Sequence, residues 1–484
     1  MKRLLKIVLG LVAVICVAGV FVLSIGLGYW GEPQGPGHIN TVALPATAVA
    51  ARKLHQDQAQ SQLAVAAGVA EQQTAKQILF GDLHVHTSYS MDAYMFGLPM
   101  MNGNGVTPPA DACDYARYCS ALDFWSINDH AEALSPRVWD DTVKSIQQCN
   151  AVAEDPANPD TVAFLGWEWS QGGEGGSHYG HKNVVLREFK DGRIPARPIA
   201  STEEYVILKA MPSIAIGGMA LTGDFSAYKE FAYYFNEVKA VPSCKQGVDV
   251  RDLPNDCREA ALTPTALYAK LDQWGFDSVV IPHGLSWGVT NPADADFQTQ
   301  IVEHNPNKQR LLEVYSGHGN SEIYADWQRE VTDSAGNKTC PEPTDNFIPC
   351  CWQAGELIRG RCDDAASAQC ESRVKDARRL FIEAGGNAGS FIVAGAEPEE
   401  WGRCGQLLDE FMPAFNYVPQ MSAQYNLALG DFSQGNKPAR FRFGMMGSSD
   451  NHKARAGSSY KEFDRLWMTD SKETGRRGGL AGSI

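Results

Sequence analysis

The sequence predicts an α/β fold whose strands close into a barrel, and three observations carry that expectation. From Ile78 onward, short apolar runs recur, and each ends in residues of metal-ligand type. Between them lie longer stretches of helical character, such as Ser135 to Val152 and Pro264 to Trp274. Strands alternating with helices imply a largely parallel sheet. Functional side chains at the C-terminal ends of many successive strands meet at one point in a barrel, which an open sheet does not achieve.

The first segment is a membrane signal. Met1-Lys2-Arg3 and Lys6 precede an apolar run from Ile7 to Leu27, long enough to span a bilayer at about 20 residues. The basic flank keeps the start in the cytoplasm and exports the rest, which predicts a periplasmic or other extracytoplasmic location. Gly28-Tyr29-Trp30 resembles an interfacial aromatic anchor, so residues 1–30 read as an uncleaved anchor, with a cleaved signal peptide as the open alternative. Residues 31–76 read as a linker, rich in Gly and Pro from Gly31 to Asn40, followed by a helical stalk or N-terminal helix over Ala48 to Lys76. Residues 77–484 form the barrel, with insertions expected near 228–256 and 320–435.

Charge and cysteines narrow the function classes. A formal charge of −15 argues against a nucleic-acid groove, which needs a basic face. It does not exclude an anionic substrate, because bound divalent cations reverse the local field. Of twelve cysteines, eleven follow the apolar run, and none has the C-x2-C spacing of a zinc site. Disulfides in an oxidising compartment explain them better, with Cys113/Cys119 and Cys244/Cys257 as local pairs and five cysteines crowded between Cys340 and Cys370. Eleven is odd, so at least one cysteine is expected to stay free or pair with another chain.

The candidate site follows the strands. In "GDLHVHTSYSMDA", His84 and His86 are one residue apart, so on a strand both imidazoles point to one face. Asp82 and Asp92 flank them as further ligands or orienting acceptors. Asp129-His130 ends "LDFWSINDH", and Glu168 sits between two tryptophans in "FLGWEWS", a carboxylate suited to bridging two ions. His178 and His181 follow, the latter favoured as a ligand; then come His283 in "IPHG", and Asp450 and His452 in "GSSDNH". Seven of the eleven histidines lie in such strand-end motifs, which together predict a cluster of two or three divalent cations.

Taken in order, "DLHVHTSYSMDA", "INDH", "EW", "GHKNV", "IPHG" and "SSDNH" resemble the motifs of the PHP (polymerase and histidinol phosphatase) superfamily. More narrowly, they resemble an exported branch of it known only as a domain of unknown function. The resemblance spans about residues 78 to 460. It implies a distorted seven-stranded β/α barrel with a di- or trinuclear zinc, manganese or iron site. By motif, it implies that His84, His86, Asp450 and bridging Glu168 hold one ion. His181 and His283 with Glu168 hold a second, and His130 and His452 a third. Asp92 stands where many members have a histidine, which changes the third site to a harder ligand set. Family members continue beyond the last motif with another helical segment, so this chain reads as a short form or a fragment.

The expected activity is metal-dependent hydrolysis of a small phosphoester in the periplasm, with a metal-bridged hydroxide as nucleophile. Asp129 would orient the water or move a proton. Lys182, Lys453 and Arg455 would add cationic donors for substrate, and Glu313, His318 and Glu322 in "LLEVYSGHGNSE" would line its pocket. Two alternatives stay open: hydrolysis of an amide, lactone or sulfate ester on the same ions, and a non-catalytic, membrane-tethered binding protein.

Overall fold

The computed structural model describes residues 2–68, 79–101, 103, 105–152, 159–171, 178–203, 208, 211–286, 295–317, 319–385, 389–396, 398–402, 404–405, 417–433 and 435–458. Two helices come first, α1 (Lys2–Gly26) and α2 (Ala46–Ala67). Leu, Val and Ile fill α1, which is long and apolar enough to cross a membrane. It ends at the glycine-rich turn before Trp30, whose indole donates to Ser24 Oγ at 2.9 Å.

The predicted alternation then begins. Strand β1 (Gly81–Val85) pairs in parallel with β2 (Phe124–Ile127), and β2 with β3 (Val162–Phe164). The connections carry α3 (Met91–Phe96), α4 (Pro109–Asp114) and α5 (Pro136–Ala151). α5 shows why these stretches are helical: Ser135 caps it by accepting from Val138 N, and Pro136 fits the first turn. Val138, Thr142 and Ile146 bury one face at helical spacing.

After Leu165 the chain resumes as β4 (Gly166–Ser170), which pairs with β5 (His181–Leu186), and β5 with β8 (Ser278–His283). Both pairings are antiparallel, a departure from the parallel sheet the sequence suggests. A parallel return needs a dozen or more residues for its crossover, and residues 171–180 are too few. Between β5 and β8 lie the short parallel pair β6 (Ile199–Ala200) and β7 (Glu259–Ala260), and helices α6 (Ser213–Thr222), α7 (Phe225–Ala240) and α8 (Pro264–Trp274). The remaining sheet pairs β9 (Leu311–Ser316) in parallel with β10 (Gly444–Gly447).

Backbone links join these sheets. Val85 bridges to Asn451, with His86 N donating to Asn451 O and Asp450 N to His84 O, both at 2.9 Å. His130 bridges to Glu168, whose N–H donates to Asp129 O at 3.0 Å. The main core lies between sheets and helices, with Trp125, Trp167 and Trp169 fully buried.

Of the two segments read as insertions, residues 228–240 belong to α7, whose Phe231, Phe235 and Val238 are in the main core. Within 320–435, α9 (Cys350–Gly360) and α10 (Ala368–Ala384) pack on a separate small core of Cys350, Cys351, Phe381 and Trp401.

Five disulfides form: Cys113–Cys149, Cys244–Cys257, Cys340–Cys351, Cys350–Cys404 and Cys362–Cys370. Cys244/Cys257 is as expected, and Cys113/Cys119 is corrected. The helical path continues from α4 through a π-helical turn, Tyr115–Cys119, and Cys119 at its end is exposed while Cys113 is buried. Cys113 meets Cys149 on α5 instead, and Cys119 is the free thiol beside Cys16 of α1.

The linker and stalk are docked rather than loose. Ala110 N donates to Pro36 O at 2.9 Å, and Ile39 is buried. Arg117 Nη1 donates to Asn40 O at 2.6 Å, and Gln34 Nε2 to Ser88 Oγ. Arg52 of α2 pairs with Asp123 at 2.7 Å.

Candidate metal centre

Most of the ligand-type side chains leave a strand or the residues just after it, while Asp92 comes from the first turn of α3. Strand alternation sends Trp167 and Trp169 one way, to Ile199 O at 3.0 Å and Ala261 O at 2.8 Å. It sends Glu168 the other way, 1 % exposed, into a nest of imidazoles. His84 and His86 share a face of β1 and its extension, both fully buried. Asp450 reaches the same point from a left-handed backbone, φ 50°, tied to β1 through its N–H.

The first group is tight. His84 Nε2 lies 3.1 Å from His86 Nε2, 3.4 Å from Glu168 Oε2 and 3.1 Å from Asp450 Oδ1. His86 Nε2 lies 3.1 Å from Glu168 Oε2 and 3.3 Å from Asp450 Oδ1. A tetrahedral cation with bonds of about 2.0 Å sets its ligand atoms about 3.3 Å apart. Five edges among these four atoms have that length.

The tautomers agree. His84 Nδ1 meets the Glu313 carboxylate at 3.0 and 3.3 Å, so it carries the proton and leaves Nε2 a bare acceptor. Ser90 Oγ donates to Asp129 at 3.0 Å, so at 2.8 Å it must accept from His86 Nδ1–H. Two imidazole lone pairs therefore face each other inside the protein. Only a proton or a metal cation satisfies both.

Two further groups adjoin the first. Glu168 Oε1 lies 2.6 Å from His181 Nδ1 and 3.2 Å from His283 Nε2. The other ring nitrogen of buried His283, Nδ1, lacks a hydrogen-bond partner among the described residues. Asp92 Oδ2 lies 2.7 Å from His130 Nε2 and 3.2 Å from His452 Nε2, with His86 in the same group. His178 is buried but joins none of these groups. The donor set of imidazole and carboxylate fits divalent zinc, manganese or iron.

Electrostatics say the same. Burial raises the Glu168 carboxyl's pKa, but His130, His283 and His181 overcome this and hold it well below the usual carboxylate range. Burial disfavours charged His84, yet the Asp450 and Glu313 carboxylates raise it well above an ordinary imidazole. His130, also opposed by burial, is raised to about 10 by Asp92 and Glu168. The pocket is built for positive charge.

The remaining candidates fall around this cluster. Both oxygens of Asp129 are engaged by Thr87 N at 2.7 Å, Thr87 Oγ1 at 2.8 Å and Ser90 Oγ, so it orients the His86 support rather than facing the ligand atoms. Asp82 holds backbone: it accepts from His84 N at 3.1 Å, Ser449 N at 3.0 Å and Gly457 N at 2.6 Å. Glu313 stands behind His84 and positions it. Lys182 pairs in register with Trp169, on the face opposite Glu168 and His181, and its expected substrate role is corrected by that alternation. There Nζ donates to Gln300 Oε1 at 3.1 Å and to Tyr179 O, and burial lowers its pKa to about 7. The charge of Arg455 is felt at Tyr115, and its N–H donates to Asn451 at 3.1 Å. His318 lies outside the described residues.

Sequence reasoning missed Ser90, Thr87 and Ser170, the last donating to Glu168 Oε1 at 3.0 Å. Small hydroxyl residues carry no pattern of their own; their only signal is a place beside the ligand motifs.

Residues 73–136 match a family model described as a protein of unknown function, DUF3604. That stretch holds β1, β2 and the ligand motifs from His84 to His130, well under half of the 484-residue chain. No curated protein and no solved structure matches the chain.

Proposed function

We propose that the chain is an exported, membrane-tethered, metal-dependent hydrolase of the PHP type, acting on a phosphoester. The observation that carries the reading is the four-atom cage of His84, His86, Glu168 and Asp450, whose buried acceptors converge at the spacing of a cation's ligands.

The strand links support the distorted seven-stranded barrel. Followed in order, they run from β1 to β2, through β3 continuing into β4, then β5 and β8; Val280 N reaches Lys308 O just before β9, and β10 leads back to β1 through Val85 and Asn451. Residues Glu168, His181 and His283 would hold a second cation, and Asp92, His130 and His452 a third. Divalent cations supply an acidified water and charge to neutralise phosphate oxygens. Glu168 offers one oxygen to each of two adjacent groups and fixes their separation. Glu313 and Ser90 hold the imidazoles in the ligating tautomer. Export follows from α1 and the disulfides, which suit an oxidising compartment.

The test is metal analysis of purified protein with a panel of chromogenic phosphomonoesters, phosphodiesters, carboxyl esters and sulfate esters, before and after chelation. Metal-dependent turnover of one class is the expected result. Undiminished turnover without metal, or hydrolysis confined to carboxyl or sulfate esters, would overturn the phosphoesterase reading.

A further inference from the structure

Helix α6 is the least explained element of the fold. From Met211 to Gly223 the chain carries no charged residue. Ile216, Gly217 and Ala220 face inward, while Ile214 and Leu221, two turns apart on one face, are each 49 % exposed. Phe225 extends the apolar surface at the start of α7. A soluble domain rarely leaves such a face to water.

What lies beside it is α1. The two helices meet at glycines: a Cβ on Gly26 would overlap the Ser213 carbonyl, and one on Gly217 the Val22 carbonyl. α7 adds Asn236 Nδ2 donating to Gly26 O at 2.9 Å. The end of α1 is thus packed into the folded domain, with Ile25 fully buried, whereas its long apolar window is not buried at all.

Depth follows from helix geometry. At 1.5 Å per residue, Val22 lies about 22 Å and Gly26 about 28 Å along α1 from Ile7, inside or at the edge of a hydrocarbon core of about 30 Å. An element touching α1 there stands at the outer boundary of the membrane. Tyr29 and Trp30, both exposed, mark the same level.

We propose that α6 is immersed in the outer leaflet, running back along α1 from Gly26 towards Val22, with Ile214, Leu221 and Phe225 turned to lipid. The occupant of its exposed face is lipid, because α6 packs on α1 at Val22 and Gly26, the level at which Leu23 and Leu27 are themselves exposed near the end of the span. The inference rests on α1 being a retained anchor and is independent of the metal chemistry. It gives the domain a fixed orientation, since two packed apolar elements hold a rigid body where one helix leaves it free to swivel.

The test is photolabelling of the full-length protein in phosphatidylethanolamine–phosphatidylglycerol vesicles, with a diazirine on the acyl chain and peptide mapping by mass spectrometry. Phe432 and Ile323, exposed apolar residues far along the chain, are internal controls. Labelling of Ile214, Leu221 and Phe225 roughly tenfold above the controls is expected, because the probe stays in the hydrocarbon. Labelled α1 with unlabelled α6 overturns the proposal and leaves the anchor, as would a second protein copy covering the face. Absence of label from both removes the anchor too. Equal labelling of Phe432 or Ile323 also overturns it, since α6 would then be no more lipid-facing than any apolar surface.

Discussion

Glu168 is the residue on which the centre turns, because its two oxygens face two different groups of imidazoles. Replacing it as Glu168→Gln removes the charge that offsets His130, His181 and His283. Loss of metal from two groups at once is the expected outcome, read by elemental analysis of folded protein. Glu313→Ala tests the layer behind: His84 stays but loses its Nδ1 acceptor, and metal affinity should drop about 10–100-fold with little change in stability. The side chains that gather in the cluster were legible in the sequence because most of them end an apolar run, Asp92 in the first turn of α3 being an exception. Lys182 was not read correctly. Its neighbour His181 belongs to the imidazole and carboxylate cluster, but alternation along β5 sends adjacent side chains to opposite faces, and only register with Trp169 reveals which.

Elements are held to one another by buried polar contacts as much as by apolar packing. Asp82 gathers three N–H groups from β1 and from the loop after β10. Asp82→Ala would strand them and should cost about 3 kcal/mol or more in chemical denaturation, while Asp82→Asn should cost less. The connection between β8 and β9 gives a pH-dependent contact. His304 lies edge-on to Phe441, ring centroids 4.8 Å apart, and burial lowers its pKa, offset only in part by Gln309. As pH falls below the unfolded value of 6.5, the unfolded chain takes up the proton first, so stability declines until the lower folded value is passed. His304→Gln should flatten that slope in melting curves taken across this window. Helix and strand positions were readable from periodicity, but the antiparallel turn at β5 was not, since strand direction depends on connection length rather than on residue pattern.

For the whole molecule, covalent links and the N-terminal segment matter most. Cys113–Cys149 joins α4 to α5 across 36 residues, and closing a loop of that length stabilises by about 4 kcal/mol. Reduction should therefore lower the melting temperature sharply, and Cys113→Ser should reproduce most of the fall. That pairing was hidden because cysteine connectivity depends on how helices pack, which spacing alone does not encode. The docked linker has a practical corollary. Residues 34–42 supply backbone acceptors to Arg117, a guanidinium only 1 % exposed, and a side-chain contact to Ser88 beside the ligand loop. A shortened recombinant form that begins at β1 would leave that cation without its carbonyls and open the flank of the histidine cage to water. A secreted version meant to keep the cluster intact should begin upstream of Gly31.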